Sequence, residues 1–199
     1  MSNKIVFLDR DGTINEEVGY VSDPKQLVLI PGVADTISKL RLLGFHIVIV
    51  TNQGHISKGM ATVDQVKEVN LSLQNMLIHE NPSALIDLVL FSKFSSALNT
   101  LCTKPNIGMV LGNGEADRDF SEIFDRNKGV LYDKTTSIMV GDKLSDIDFG
   151  LNLGLDPVNC YLVMTGHGQK TLGTLEADRK YDFIKKIKSL NDILSYLDK

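Results

Sequence analysis

Lys4-Ile5-Val6-Phe7-Leu8-Asp9-Arg10-Asp11-Gly12-Thr13 is the stretch whose reading decides the fold. Ile5 to Leu8 is a short, continuous apolar run closed by turn residues, the pattern of a fully buried strand. Asp9 and Asp11 follow at once and stand where that strand leaves its sheet. Open α/β sheets bind ligands outside the carboxyl ends of their strands. Two carboxylates at such a point attract a hard cation, and Mg²⁺ is commonly held by one or two carboxylates together with a phosphate oxygen. The stretch therefore points to an α/β fold and to phosphate chemistry.

Working outward, strand and helix patterns alternate along the chain. Asn15 to Lys25 is polar and broken by Gly19 and Asp23-Pro24. Pro31-Gly32 opens a helix with Val33, Ile37 and Leu40 on one face, ended by Gly44. Phe45 to Val50 reads as a second buried strand. Thr62-Val63-Asp64-Gln65 is a capping box ahead of Val66, Val69, Leu73 and Leu77 at helical spacing. Further strands are expected over Leu85 to Phe91, Ser137 to Val140, Tyr161 to Met164 and Tyr181 to Ile184. Ser189 caps a last helix that turns Leu190, Ile193, Leu194 and Leu197 inward. Ile107 to Lys128 carries helical apolar spacing weakened by Gly108, Gly112 and Gly114. Alternating βα units predict an open parallel sheet with helices on both faces. No repeat, low-complexity tract or linker divides the chain, so one domain over 1–199 is expected.

The chain is 43% hydrophobic and 23% charged over 199 residues, enough to bury one substantial core. A formal net charge of −4 argues against a nucleic-acid binder, which usually displays a basic stripe. It leaves room for a small phosphorylated substrate, which needs only a local cluster of Lys and Arg. Cys102 and Cys160 are too few for a disulfide framework and fit a reducing compartment. The N-terminal apolar run is too short for a signal peptide, and nothing approaches the roughly 20 apolar residues of a membrane span. The expectation is a cytoplasmic monomer with a small-molecule substrate and no nucleic-acid or membrane partner.

Beyond Asp9-Arg10-Asp11-Gly12-Thr13, three further clusters follow strands or lie in adjacent loops: Thr51-Asn52-Gln53-Gly54, Lys104-Pro105 and Gly141-Asp142-Lys143-Leu144-Ser145-Asp146. Phosphoryl transfer needs a nucleophile, a proton carrier, a cation and donors to the equatorial oxygens. Asp9 is placed as a nucleophile that forms an aspartyl-phosphate. Asp11 can protonate the leaving oxygen and later take a proton from water. Asp142 can complete a Mg²⁺ site with Asp9 and the Asp11 carbonyl. Thr51 and Lys104 can bind phosphoryl oxygens, and Asp146 can steer Lys104 or a metal-bound water. Each cluster alone has a plainer role as a turn, a helix cap or a solvated lysine. Their occurrence together and in order, each beside a strand end, is what carries the reading.

These four motifs make the chain resemble the haloacid dehalogenase-like (HAD) phosphatases, and within them the heptose-bisphosphate and histidinol-phosphate group. The resemblance runs from Ile5 to about Leu197 and is densest at Phe7 to Asn15, Gly19-Tyr20-Val21, Pro31-Gly32-Val33, Val50 to Gln53, Ile56 to Gly59, Lys104-Pro105, Gly108-Met109 and Met139 to Lys143. It implies a Rossmann-like sheet with a short specificity loop in place of a large cap domain. It implies a Mg²⁺-dependent phosphatase acting on a small phosphosugar, foremost a heptose bisphosphate. It also implies that Glu17, Val18, Gly19 and Tyr20, with Asn52, Gln53 and Gly54, line the substrate pocket and that Lys143 lies beside the phosphate.

Two departures stand out. Members of this group typically carry a structural zinc in the loop before the Lys-Pro, held by three Cys and one His. Ser92 to Thr103 contains Cys102 and no His, and structural zinc needs four ligands, so no zinc is expected. Thr103, assigned to the substrate pocket, stands where relatives usually carry an Arg, which removes a bidentate phosphate donor. The same chemistry on histidinol phosphate, another small ester or a 3′-phosphorylated nucleic-acid end, and a non-catalytic phosphosugar-binding module, are the rival readings; the acidic net charge speaks against the nucleic-acid end. Among the remaining residues, Arg10 is expected to fix its loop; His55 reads equally as a substrate contact or a plain polar loop residue, and His167 reads first as a turn residue, with substrate contact the alternative.

Overall fold

Ile5–Leu8 forms strand β1, with all four side chains buried, in the computed structural model, which describes residues 3–113, 115–117, 123–125 and 128–197. The other strands are β2 (His46–Asn52), β3 (Leu88–Ser92), β4 (Glu115–Asp117), β5 (Phe124–Asp125), β6 (Gly129–Val130), β7 (Ile138–Gly141), β8 (Cys160–Val163) and β9 (Lys185–Ile187). Seven of them make one sheet in the order β4-β3-β2-β1-β7-β8-β9, and β5 pairs with β6 in a separate hairpin. β4 is antiparallel to β3 at one edge, and the other pairings of the large sheet are parallel.

Alternate residues of the central strands feed two cores, as the period of a strand requires. Val6, Leu8, Ile47 and Ile49 pack with α1 (Val33–Leu42), α2 (Val63–Glu80) and the C-terminal α5 (Leu194–Leu197). Ile5, Phe7, Val48 and Val50 pack with α3 (Leu144–Asn152) and α4 (Gly168–Glu176) on the opposite face. The start of α2 and the end of α1 carry the signals read from the sequence. Thr62 and Gln65 close a reciprocal capping box on α2, at 3.1 and 2.8 Å. Gly44, at φ +83°, follows the end of α1, a left-handed position that suits glycine.

The register positions the site. Leu8 pairs with Ile49 on one side and Val140 on the other. The residues after β1, late in β2 and after β7 therefore emerge side by side. The chain leaves β1 toward β2 and β3 in one direction and returns through β7, β8 and β9 in the other. The strand order reverses at β1, which is where open α/β sheets form their ligand crevice.

Three expectations are corrected. Tyr181 to Ile184 is not a strand: Arg179–Tyr181 is a 3-10 turn, and the edge strand is β9. Tyr181 and Ile184 are both buried, but their spacing of three is that of a turn, closed by Ile184 N–H donating to the Tyr181 carbonyl at 3.0 Å. Ile107 to Lys128 is not a helix. It holds a π-type turn at Met109–Asn113 that Gly112 breaks with φ +89°, then β4 and the β5–β6 hairpin. Gly114 and residues 118–122 and 126–127 lie outside the described residues. The last helix is a 3-10 turn over Leu190–Ile193 that runs into the short α5. No helix among the described residues is long and apolar enough to cross a membrane.

Candidate active site

Asp9 is the first residue beyond β1, and its N–H extends the ladder to the Val140 carbonyl at 2.9 Å. This anchoring holds its carboxylate at the mouth of the crevice. Lys104 reaches it across the sheet end: Lys104 Nζ lies 2.8 Å from Asp9 Oδ1, 2.6 Å from Asp146 Oδ1 and 2.7 Å from the Val50 carbonyl. The lysine is fixed at its backbone by Asn52, whose Oδ1 accepts from Lys104 N–H at 2.9 Å and whose Nδ2 donates to the Lys104 carbonyl at 3.2 Å. Burial alone would lower the affinity of this amine for its proton. The carboxylates of Asp146 and Asp9 outweigh that and raise its pKa, so Lys104 is a fixed positive charge.

Asp142 is the first residue after β7, and Asp146 sits in the first turn of α3, where its Oδ2 accepts from Lys143 N–H at 2.9 Å. Gly12 and Gly166 let two loops close over Asp142: a Cβ on either would fall 2.4 or 2.2 Å from Asp142 Oδ2. That oxygen accepts from His167 N–H at 2.7 Å. Asp142 Oδ1 is buried and has no hydrogen-bond partner. Burial, with the Asp9 carboxylate next in weight and Lys143 opposing, pushes the Asp142 carboxyl up to about 8.

Asp9, Asp142 and Asp146 are all buried, and each brings a carboxylate oxygen within 4.8 Å of the others. Three buried carboxylates against Lys104 leave negative charge that burial makes costly. The donors are all hard oxygens, and one of them, Asp142 Oδ1, accepts no hydrogen bond, with Lys143 Nζ 3.6 Å away. This set suits a divalent cation such as Mg²⁺.

Asp11 occupies a different electrostatic setting. Arg10, fully buried, donates to it twice, from Nε at 3.1 Å and from Nη2 at 2.9 Å. Asn15 Nδ2 and Gln53 Nε2 also donate to it, at 3.0 and 3.2 Å. Burial pushes the Asp11 carboxyl up, but Arg10 and these bonds together hold it below the usual carboxylate range. Arg10 is tied down in turn by Asn70 of α2 and by Gln53, each at 3.0 Å. Gln53 Nε2 also donates to Thr51 Oγ1 at 2.8 Å.

Asp9, Asp11, Thr51, Asn52, Lys104, Lys143 and Asp146 line one small cleft together with Ser145. Of these, Ser145 was not among the residues expected at the site. The signal available for it was its place inside the Gly141-to-Asp146 loop. Glu17 lies at the rim, with Oε2 3.0 Å from Lys143 Nζ. The carboxylates of Asp9, Asp142, Asp146 and Glu17 outweigh burial and raise the Lys143 pKa.

Four expected residues stand away from the cleft. Val18 and Tyr20 are half exposed. Tyr20 packs on the buried His55 ring with centroids 5.3 Å apart and accepts from Lys58 Nζ at 2.6 Å. Gly54 is a packing position, since a Cβ there would meet Ser95 Cα at 2.7 Å. Thr103 is buried, and its hydroxyl lies 2.9 Å from Ser92 Oγ and 2.8 Å from Thr100 Oγ1. Its role in this fold is to close the loop that carries Lys104. Gly19 lies in the rim loop at φ +86°, its N–H donating to Glu17 Oε1 at 2.9 Å.

Residues 4–156 match the family described as polynucleotide kinase 3 phosphatase. The chain is 33% identical over 197 residues to D-glycero-D-manno-heptose-1,7-bisphosphate 7-phosphatase of Thermosynechococcus vestitus, covering 92% of this chain and 91% of that one. A protein of the same description from Chlorobaculum tepidum is 33% identical over 176 residues, covering 86% and 83%. Among solved structures, a putative HAD-like phosphatase from Mesorhizobium loti superposes with a TM-score of 0.67 at 32% identity, covering 81% of this chain and 73% of that one. D,D-heptose 1,7-bisphosphate phosphatase from B. bronchiseptica, solved with magnesium and phosphate, has the same fold, with a TM-score of 0.78 at 23% identity over 98% of this chain and 97% of that one. Aspartates at the switch point of the sheet and relatives of this kind lead to one assignment: the chain belongs to the HAD-like phosphatases, in the polynucleotide kinase 3 phosphatase family.

Proposed function

We propose that this protein is a cytoplasmic, monomeric, Mg²⁺-dependent phosphomonoesterase that removes the 7-phosphate of a heptose 1,7-bisphosphate through an aspartyl-phosphate on Asp9. The observation that carries the mechanism is the pair Lys104–Asp9 at 2.8 Å, set beside Asp142 and Asp146 at the switch point. The substrate rests on the names of the relatives, which are heptose-bisphosphate phosphatases at 33% identity.

Lys104 engages Asp9 Oδ1, which leaves Oδ2 to attack phosphorus. As the Oδ2–P bond forms, the bond from phosphorus to the sugar oxygen breaks. Asp11 gives that oxygen its proton. Asp11 then takes a proton from water as the water oxygen attacks the aspartyl-phosphate, and inorganic phosphate leaves with Asp9 restored. Thr51 and Lys104 steady the equatorial oxygens. Asp9, Asp142 and the Asp11 carbonyl would hold Mg²⁺, which when bound relieves the repulsion between Asp9 and an anionic phosphate. Asp146 positions Lys104 through their 2.6 Å contact.

Arg10 keeps Asp11 ionised, the form that serves as a base. A phosphate dianion in the cleft opposes Arg10 and raises the affinity of Asp11 for a proton, so Asp11 becomes an acid when substrate is in place.

The test is phosphate release in Mg²⁺ from D-glycero-D-manno-heptose 1,7-bisphosphate, histidinol phosphate and a 3′-phosphorylated DNA end. The heptose ester is the preferred substrate, and Asp9→Asn or excess EDTA reduces release by several orders of magnitude. Activity that survives either treatment overturns the mechanism. A preference for histidinol phosphate or the DNA end overturns the substrate.

A further inference from the structure

Beside the catalytic cleft lies a larger cavity of about 450 Å³, lined by Glu16, Glu17, Ile30, Pro31, Thr165 and Gly166. Its size falls in the roughly 300–1,000 Å³ range of small-molecule sites. The two spaces share a wall, because Glu17 Oε2 is 3.0 Å from Nζ of Lys143, which lines the cleft. His167 Nε2 lies 3.3 Å from the same Glu17 oxygen.

His167 is held there by the site itself. Its N–H donates to Asp142 Oδ2 at 2.7 Å. Thr165 Oγ1 donates to the Gly12 carbonyl at 2.6 Å. Gly166, at φ +55°, packs so closely that a Cβ would lie 2.7 Å from Gly12 Cα. The loop is thus bonded to Asp142 and Gly12, while the half-exposed His167 ring, next in sequence to the cavity-lining Gly166, meets Glu17.

The chemistry of the cavity is that of a polyol site. Lys143 and Glu17 neutralise each other, which leaves hydrogen bonding as the means of recognition at this wall. A carboxylate accepts hydrogen bonds from hydroxyl groups, and an imidazole can accept one or donate one. Ile30 and Pro31 offer an apolar wall to carbon-bound hydrogens. We propose that this cavity binds the alcohol part of the ester, a polyhydroxylated chain or ring, and that His167 with Glu17 determines specificity for it. The proposal rests on the phosphosugar reading above.

The test is steady-state kinetics in Mg²⁺ with two esters: D-glycero-D-manno-heptose 1,7-bisphosphate and phenyl phosphate, whose alcohol carries no further hydroxyl. In His167→Ala, the ratio of kcat/KM for the heptose ester to that for phenyl phosphate falls about tenfold, chiefly through KM, as expected for one lost hydrogen bond. His167→Gln, which keeps a donor and an acceptor, recovers part of the ratio. An unchanged ratio in His167→Ala overturns the subsite, and so does an equal fall for both esters, which marks a structural role. Failure of wild type to act on the heptose ester overturns the phosphosugar reading and the subsite with it, a result seen without any variant.

Discussion

Arg10 and Asp11 show how neighbouring residues divide the work at one strand end. Arg10 has no exposed surface and spends its guanidinium on Asp11, Asn70 and Gln53. It faces Asp11, the proposed acid/base, and acts through it. If Asp11 supplies the proton to the departing oxygen, its loss matters most where that oxygen is a poor leaving group. Asp11→Asn is therefore expected to slow hydrolysis of an alkyl ester such as the heptose bisphosphate at least about tenfold more than that of p-nitrophenyl phosphate, at the low end of the typical general-acid contribution. Equal slowing of both esters, read from initial rates, contradicts the assignment.

At the scale of elements, the loops carry the chemistry and the helices hold the loops. α2 contributes Asn70 to Arg10, and its first turn is closed by the Thr62–Gln65 capping box. Removing the cap in Thr62→Ala leaves the Gln65 N–H without its side-chain partner and costs about 1 kcal/mol of stability. Urea unfolding should show a lower midpoint with an unchanged slope, and KM should not move, because Thr62 is not among the residues that line the cleft. The loop between β3 and Lys104 follows the same logic by other means. Thr103, Ser92 and Thr100 bind it through their hydroxyls, and Cys102 Sγ donates to the Asn113 carbonyl at 2.7 Å.

For the whole molecule, the acidic cluster links stability to pH and to the cation. The Asp142 carboxyl rises from 3.8 to about 8 through burial and the Asp9 charge. The metal-free folded state therefore holds that proton more tightly than the unfolded chain does. The corresponding stability is fully present below about pH 4 and is lost as pH rises toward about 8. His55 works in the opposite sense, since burial and Arg10 lower its pKa. Its share of stability is lost as pH falls. The Mg²⁺-induced rise in Tm, unlike Tm alone, separates the two. That rise should be larger at pH 8 than at pH 5.5, because only an ionised Asp142 is free to bind the cation. Equal rises at both pH values, measured by thermal denaturation, would contradict a cation site built on Asp142.

Sequence by itself determined the class of fold and pointed to most of the residues that line the cleft, Ser145 excepted. A four-residue apolar run closed by the turn residues Asp9-Arg10-Asp11, in a chain of alternating strand and helix patterns, reads as a strand inside a sheet covered on both faces. The same local rule, a polar cluster after an apolar strand, located Thr51 and Asp142. Tertiary structure decided what each polar atom meets. Lys104 finds Asp9 and Asp146 because β2 and β7 flank β1 on opposite sides, which no local pattern encodes. Thr103 turns into its own loop, and His167 comes to Glu17, for the same reason: side-chain direction depends on how distant segments pack. Tyr181 and Ile184 were misread as a strand because burial looks alike in a strand and in a tight turn when only hydrophobicity is visible. Periodicity reports which residues leave water, and the order of strands in space determines which of them meet.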